Sequence, residues 1–502
     1  MISHPFRAAL ISVWVGYMVA AAGAQPLQAD FSADAERQAK YFEIETLDIP
    51  EDVVLEVTGL ATLPGDRLAA VTRRGELWIV SDVSDTDIRH IGFTKFAEGL
   101  HEPMSVTFED DWFYVTQRSE LTKIQDRDGD GFGDFYQTLT DKWGISGDYH
   151  EFAWGSPPDK DGNIWVALCL TGGKTSDAFL RGWAVRVTPD GEMIPSASGI
   201  RSPGGMNVSP EGEVFYTDNQ GFWNGSSALK HLKPGSFQGS PVGNIWYQQV
   251  DAIGPRPPDP HPNSLVESER ARISNLVPPA VVFPHGRLGQ SPTGMVWNQT
   301  GGAFGPYEGQ LFVAEYTFAQ VQRVFLEEVN GVMQGATFPF LSELATGAMN
   351  LAFSERGQLY VGGLNRGWPS LGEAPYALQR ISWNGETPLE ILEMRVTQEG
   401  FDLEFTKPVD RASAVDLASY QMQTWTYLYR ELYGSPEVDH ASLAIASVLV
   451  SDDARTVSLI VPDRVKGHVH MLETPGIRAA DGDPVLHPIA YYTLNEIPAT
   501  KP

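Results

Sequence analysis

The sequence predicts an all-β chain, and two observations carry that prediction. The first is a repeat: an apolar strand, a Gly- or Asp-bearing turn, then a second strand ending in polar residues. The second strands read RLAAVT from Arg67, WFYVTQ from Trp112, NIWVAL from Asn163, EVFYTD from Glu213, QLFVAE from Gln310 and QLYVGG from Gln358. Their starts lie 45, 51, 50, 97 and 48 residues apart. A period of about 45–50 residues is that of a four-stranded propeller blade. The long interval holds one blade plus a Pro-, aromatic- and Gly-rich insertion at about 223–279, so the count is six blades. An ordinary sandwich would not repeat this unit at this spacing.

The second observation is the loss of the repeat after Pro388. A shorter unit follows, with GFDLEFTKPVD, TVSLIVPD and HVHMLETPGIRAADGDPVL. Apolar residues alternate there between turn residues, as in a small immunoglobulin-like β-sandwich. The predicted organisation is a leader at 1–24, a linker at 25–45, a six-bladed propeller at 46–387 and a β-sandwich at 388–502. Trp425, Tyr427, Tyr429 and Tyr433 fall in this last unit, either as an exposed aromatic surface or as core and interface packing.

Composition narrows the function classes. At 502 residues the chain can bury a large core. A formal net charge of −28 argues against nucleic acid or an anionic membrane as partner. Arg7 precedes an apolar run from Ala8 to Ala22, and Ala22-Gly23-Ala24 fits the small-x-small cleavage rule, so Gln25 is the expected first mature residue. A membrane anchor fits less well, because the run is short and ends in small residues. No later segment is apolar enough to span a bilayer. Cys169 is the single cysteine, which excludes an internal disulfide, and no C-x-x-C-H offers covalent haem attachment. These features describe an exported bacterial protein, periplasmic or secreted.

Propeller geometry decides which side chains can meet. In each blade the segment leading into the first strand and the loop joining strands two and three lie at one end of the central channel. Read blade by blade, these positions give Arg73 and Arg74; Glu102, Gln117 and Arg118; His150 and Glu151; Arg201, Ser202, Asp218 and Asn219; Ser291, Glu315 and Tyr316; and Asn365 and Arg366. Singly, each could be a strand-end ion pair. Together they suggest a polar small-molecule pocket.

The stretch LTKIQDRDGDGFGDFYQTL, Leu121 to Leu139, falls at the opposite end, between strands three and four of blade two. Asp126, Asp128 and Asp130 occupy loop positions one, three and five, the Phe132 carbonyl position seven and Asp134 position nine, as in a calcium loop. Gln137 stands at position twelve in place of the bidentate glutamate, and flanking helices are not apparent. A structural calcium ion and a bare solvated turn are the two readings; catalysis is not expected there.

Several segments carry a family resemblance. QDRDGDGFGDFYQTL, GDYHEFAWGSPPDKDGNIWVAL, GIRSPGGMNVSPEGEVFYTDNQGFW and SPTGMVW resemble the glucose/sorbosone dehydrogenase-like propellers of exported bacterial proteins. LNRGWPSLGEAPYALQRISWNGETPLEI and YYTLNEIP are similar to the planctomycete and verrucomicrobial membrane-bound dehydrogenase family, so the likeness spans about 50–498. The resemblance implies oxidation of a sugar or polyol by a bound pyrroloquinoline quinone, with His150 as proton acceptor and Arg201 as a cofactor contact. The ring positions add Asn219 and Arg366 as expected cofactor contacts, Arg73 and Arg118 as further cations, and Asp218 and Glu315 to orient substrate hydroxyls. Ser202 stands where the soluble quinoprotein sugar dehydrogenases of this superfamily have asparagine, and Gly204 where a glutamine often contacts their quinone. With no haem in the chain, such an enzyme needs an external acceptor such as a cytochrome c. Two alternatives fit the same ring: a lyase or hydrolase acting on a glycan with His150 as base, and a carbohydrate-binding propeller without catalysis.

Overall fold

The computed structural model describes residues 32–499. The leader at 1–24 and the first residues of the expected linker lie outside them. Six sheets, each built on four antiparallel strands, surround a central channel. Their innermost strands are Val57–Leu63, Ser105–Glu109, Ala153–Pro158, Pro203–Val208, Pro292–Trp297 and Ala348–Phe353. Each touches the next and the sixth touches the first, which closes the ring. The chain is thus an all-β propeller.

Blade strands buried on both faces read as continuous apolar runs rather than as alternation. Ile164–Leu168 (IWVAL) is buried at every position. The turn before it is set by chemistry: Asp159 accepts from the amides of Asp161 (3.0 Å) and Asn163 (2.9 Å), and Gly162 takes a positive φ of 79°. That backbone region favours glycine. Six hydrophobic clusters fill the spaces between neighbouring blades, one per interface. Phe96 and Ala97 of blade one meet Phe113 and Val115 of blade two, for example. Burying a Phe or Val side chain stabilises by about 1.5–3 kcal/mol.

Three boundaries differ from the sequence expectation. Phe42–Thr46, placed in the linker, is the outer strand of blade six: it pairs with Tyr376–Trp383, with Ile44 opposite Ile381. The insertion at 223–279 begins too early, because Ser227–Leu232 is the third strand of blade four. The extra chain lies between it and Val281–Phe283, and folds back on blade three: Trp183 donates to the Gly243 carbonyl at 2.8 Å. The third difference concerns the chain after Pro388. Gln320–Val329 and Val332–Leu341 of blade five are ten residues each and run beyond the ring. Ile489–Leu494 pairs with the latter, and His468–Glu473, Gln421–Thr426 and Val438–Ser442 continue the same sheet to eight strands. A second sheet of Ile391–Val396, Gly400–Phe405, Thr456–Ile460 and Ser447–Val450 packs across a core that includes Phe325 and Phe338 of blade five. The C-terminal strands therefore cover an edge that would otherwise expose unpaired amides and carbonyls.

Candidate functional site: a cationic cavity with an aromatic rim

The loops between strands two and three converge with the segments leading into the first strands, and enclose a cavity of about 510 Å³. Arg73, Met104, His150, Arg201, Ser291 and Arg366 reach it from blades one to six in turn. His150 sits on the approach to blade three. Its amide donates to Asp148 Oδ1 at 2.8 Å, and Arg118 holds the same turn by donating to the carbonyls of Asp148 (2.9 Å) and Tyr149 (2.8 Å). The imidazole stands edge-on against the Tyr149 ring, with centroids 4.7 Å apart. Neither ring nitrogen makes a hydrogen bond to another described residue. Although the residue is exposed at the cavity mouth, the walls strip part of its hydration and lower its pKa; Asp148 opposes this, and the charges of Arg201, Arg118 and Arg73 add to it. Burial and the neighbouring guanidinium charges therefore favour the neutral ring.

The arginines are partitioned. Glu102 bridges Arg118 (2.7 Å) and Arg73 (3.4 Å), and Glu56 pairs with the exposed Arg366 at 3.1 Å. Arg201 has no carboxylate partner among the described residues. Its Nη1 donates to the carbonyls of Asn219 (3.3 Å) and Gln220 (2.6 Å), its Nη2 to that of Thr171 (3.3 Å), and its buried Nε is unpartnered. Gly221 makes this possible, because a Cβ there would lie 2.0 Å from the guanidinium carbon. Asn219 lines the cavity too, donating to the Ser202 carbonyl at 3.1 Å while its Oδ1 stays buried and unpartnered. Gly204 carries no side chain for a physical reason: a Cβ would come within 2.3 Å of the Pro292 carbonyl.

Asp218 and Glu315, expected to touch substrate, do not line the cavity. Both are fully buried. Asp218 pairs with buried Lys230 at 2.9 Å, accepts from the Ser202 amide at 2.7 Å and takes the Tyr216 hydroxyl at 3.2 Å. Glu315 accepts from the amides of Gln290, Ser291 and Phe318; burial raises its pKa and those amides oppose the rise. Gln117, at the same repeat position in blade two, accepts from the His101 amide. Here the strand-end acid or amide ties down the segment leading into its own blade. Glu151 is likewise buried, accepting from Ser146 and Ser176. Cys169 lies in the cavity floor, where burial pushes its thiol up to about 12 and so removes it as a nucleophile.

Sequence reasoning missed much of the rim. Trp368, Phe222, His285 and Tyr433 all line the cavity. Tyr316 holds the Trp368 loop, its hydroxyl donating to the Trp368 carbonyl at 2.9 Å. Of the four aromatics expected either as a surface or as packing, Trp425, Tyr427 and Tyr429 are buried, whereas Tyr433 is 54% exposed. Tyr433 comes from the C-terminal segment more than 200 residues after Arg201, and its ring lies 5.1 Å from that guanidinium. Local pattern could not have placed it; only the long-range fold does.

The aspartate loop joins Leu121–Gln125 to Phe135–Thr140, at the other end of blade two. Carboxylate oxygens of Asp126, Asp128 and Asp130 lie within 4.8 Å of one another. The amides of Gly131 and Gly129 hold the Asp126 pKa down. Asp128 accepts from the Asp130 amide, yet the charges of Asp130, Asp134 and Asp126 push it up. Asp134 accepts from the Arg127 amide at 2.8 Å, and the Phe132 side chain is exposed.

Among the described residues, no helix is long and apolar enough to cross a membrane. Three solved structures with similarity are a glucose dehydrogenase from Thermus thermophilus, the PQQ-bound aldose sugar dehydrogenase of Streptomyces coelicolor and the soluble apo-form aldose sugar dehydrogenase of Escherichia coli. Their identities are 16%, 16% and 15%, each over 68% of this chain and over 99%, 98% and 99% of theirs, with TM-scores of 0.49, 0.46 and 0.47. At these values the likenesses assign no role to any residue. No curated protein matches the chain. Residues 11–337 match the family described as "Domain of unknown function (DUF7133)", and the chain belongs to that family.

Proposed function

We propose that the cavity binds a sugar or polyol and that His150 takes a proton from it. The observation that carries this reading is the imidazole at the mouth, its pKa held down by partial burial and both ring nitrogens without a hydrogen-bond partner among the described residues. A positioned base of this kind is worth about 10² to 10⁴ in rate. In the oxidative form, a bound pyrroloquinoline quinone would supply the hydride acceptor. The donor set fits a planar anion: Arg201 is uncompensated, and Arg73 and Arg118 share the single carboxylate of Glu102. Arg201, Asn219 and Arg366 would hold it, with Trp154 and Met104 as apolar wall. His150 would accept the hydroxyl proton, while Arg118 fixes the turn that carries the imidazole. Export, the periplasmic or secreted location and an external acceptor such as a cytochrome c belong to this proposal.

One observation favours a second reading. Of the arginines that line the cavity, Arg201 alone lacks an acidic partner among the described residues, and the position at Gly204 is closed to any side chain. That arrangement also suits a single substrate carboxylate. The second reading is a lyase or hydrolase acting on a uronic-acid-containing glycan, with His150 as base.

Calcium at the aspartate loop completes the proposal. Oxygens sharing one calcium at about 2.3–2.6 Å lie no more than about 5 Å apart, and the Asp126, Asp128 and Asp130 set meets that limit at 4.8 Å. The Phe132 carbonyl and Asp134 would complete the ligands.

Calorimetry with the quinone separates the readings. Uptake that His150→Ala preserves and Arg201→Ala weakens, with turnover lost in His150→Ala, supports oxidation. No uptake, with a new unsaturated product from a polyuronate, supports the lyase. Turnover of a sugar or glycan that His150→Ala leaves unchanged overturns both.

A further inference from the structure

Resting on the reading of the cavity as a carbohydrate site, we propose that its substrate is a glycan chain of two or more sugars. Tyr433 and Trp368 then stack the rings beyond the one at His150. Among the described residues five aromatic side chains are exposed: Phe132, Tyr136, Tyr149, Trp368 and Tyr433. The first two belong to the aspartate loop and its following strand. The other three, 47%, 48% and 54% exposed, line this one cavity. Trp368 is the one exposed tryptophan among the described residues.

These faces are held, not loose. The C-terminal segment carrying Tyr433 is stitched to blade four: the Trp223 amide donates to the Arg430 carbonyl at 2.7 Å, that of Gly434 to Gly221 at 3.0 Å and that of Ser435 to Gly225 at 3.0 Å. The Phe222 ring meets Tyr433 edge-on at 5.7 Å. Across the mouth, Tyr149 reaches blade six, where a Cβ at Gly367 would lie 2.2 Å from its hydroxyl. Blade three, blade six and the C-terminal segment stitched to blade four thus each present an exposed aromatic side chain to one cavity. The C–H-rich face of a pyranose packs on the negative face of an aromatic ring. A ring at His150 can use the adjoining Tyr149. Tyr433, one face of which carries the Arg201 guanidinium, and Trp368 remain, which is more stacking surface than a monosaccharide can cover. The C-terminal region, which completes the blade-five sheet, thereby also completes the site.

The test is titration calorimetry with two ladders: glucose, cellobiose and cellotetraose, and galacturonate with its dimer and tetramer. We expect affinity to rise at least tenfold from monomer to tetramer in one ladder. Tyr433→Ala and Trp368→Ala should each remove most of that rise, and Tyr433→Phe should retain it, which separates stacking from misfolding. Affinity that does not grow with length in either ladder, or no binding by any member, overturns the proposal. Length-dependent binding with turnover untouched by His150→Ala would leave the glycan inference standing and sink the proposed chemistry instead.

Discussion

The strand ends of blades four and five and the approach to blade three lie at the same end of the channel, yet they differ in one respect. Asp218 and Glu315 satisfy their oxygens with Lys230 and loop amides of the same chain. His150 has its backbone tied and its ring left open. A buried carboxylate costs several kcal/mol unless paired and hydrogen-bonded, so a strand-end acid that folds inward must find partners there. Repeat position brings a polar residue near the channel. Whether its partners lie within the chain decides if it can serve a ligand.

The sharpest way to break this contrast is Asp218→Ala, which strands Lys230 in the interior. Removing one partner of a buried pair costs about 3–5 kcal/mol, read as a lower denaturation midpoint. If stability is unchanged, Asp218 is not the tie described. The aspartate loop lies between the two cases, its carboxylates exposed but bonded to loop amides. If calcium holds it, chelator should lower stability by about 2.7 kcal/mol relative to an ion concentration of a hundred times Kd. Asp128→Ala should abolish that response, and identical melting with and without chelator removes the ion.

A third comparison sets His470 against His150. His470 is fully buried, and burial pushes its pKa down to about 3 from 6.5. The unfolded chain therefore binds this proton first. Its contribution is complete above pH 6.5 and is lost by about 1.4 kcal/mol for each pH unit below that, towards pH 3. Denaturation midpoints measured from pH 7 to 5 should fall in the native chain and fall less in His470→Leu. The smallest expected change is in the stability of His150→Ala, within about 0.5 kcal/mol. A larger loss would make His150 structural. The same residue sets the pH profile: the rate should climb through a midpoint below 6.5, and Asp148→Asn should move it lower by removing the charge that favours protonation.

The repeat was legible because turn chemistry and strand burial are local: Asp159 and Gly162 write their turn into four residues. The cavity's arginines and His150 were legible through the same register. Asp218 and Glu315 were misread because a sequence shows a carboxylate but not whether Lys230 or the Ser291 amide waits beside it. Phe42–Thr46 looked like linker because its partner strand lies at Tyr376–Trp383. Tyr433 was hidden for the same reason, since long-range pairing leaves no mark on local periodicity.

That closing strand sets a timetable. Ile44 must wait for Ile381, 337 residues further on. At roughly 5–20 residues per second of synthesis, the delay is on the order of 17–67 s. Bringing the ends together costs roughly 5 kcal/mol of loop-closure entropy, recovered only if the intervening blades have already shortened the path. Until then blade six presents an unpaired edge and Phe42–Thr46 has no partner, a combination that invites pairing between nascent chains. The ring is therefore most exposed to aggregation while it is being made, and latching the strand is the step that ends that exposure.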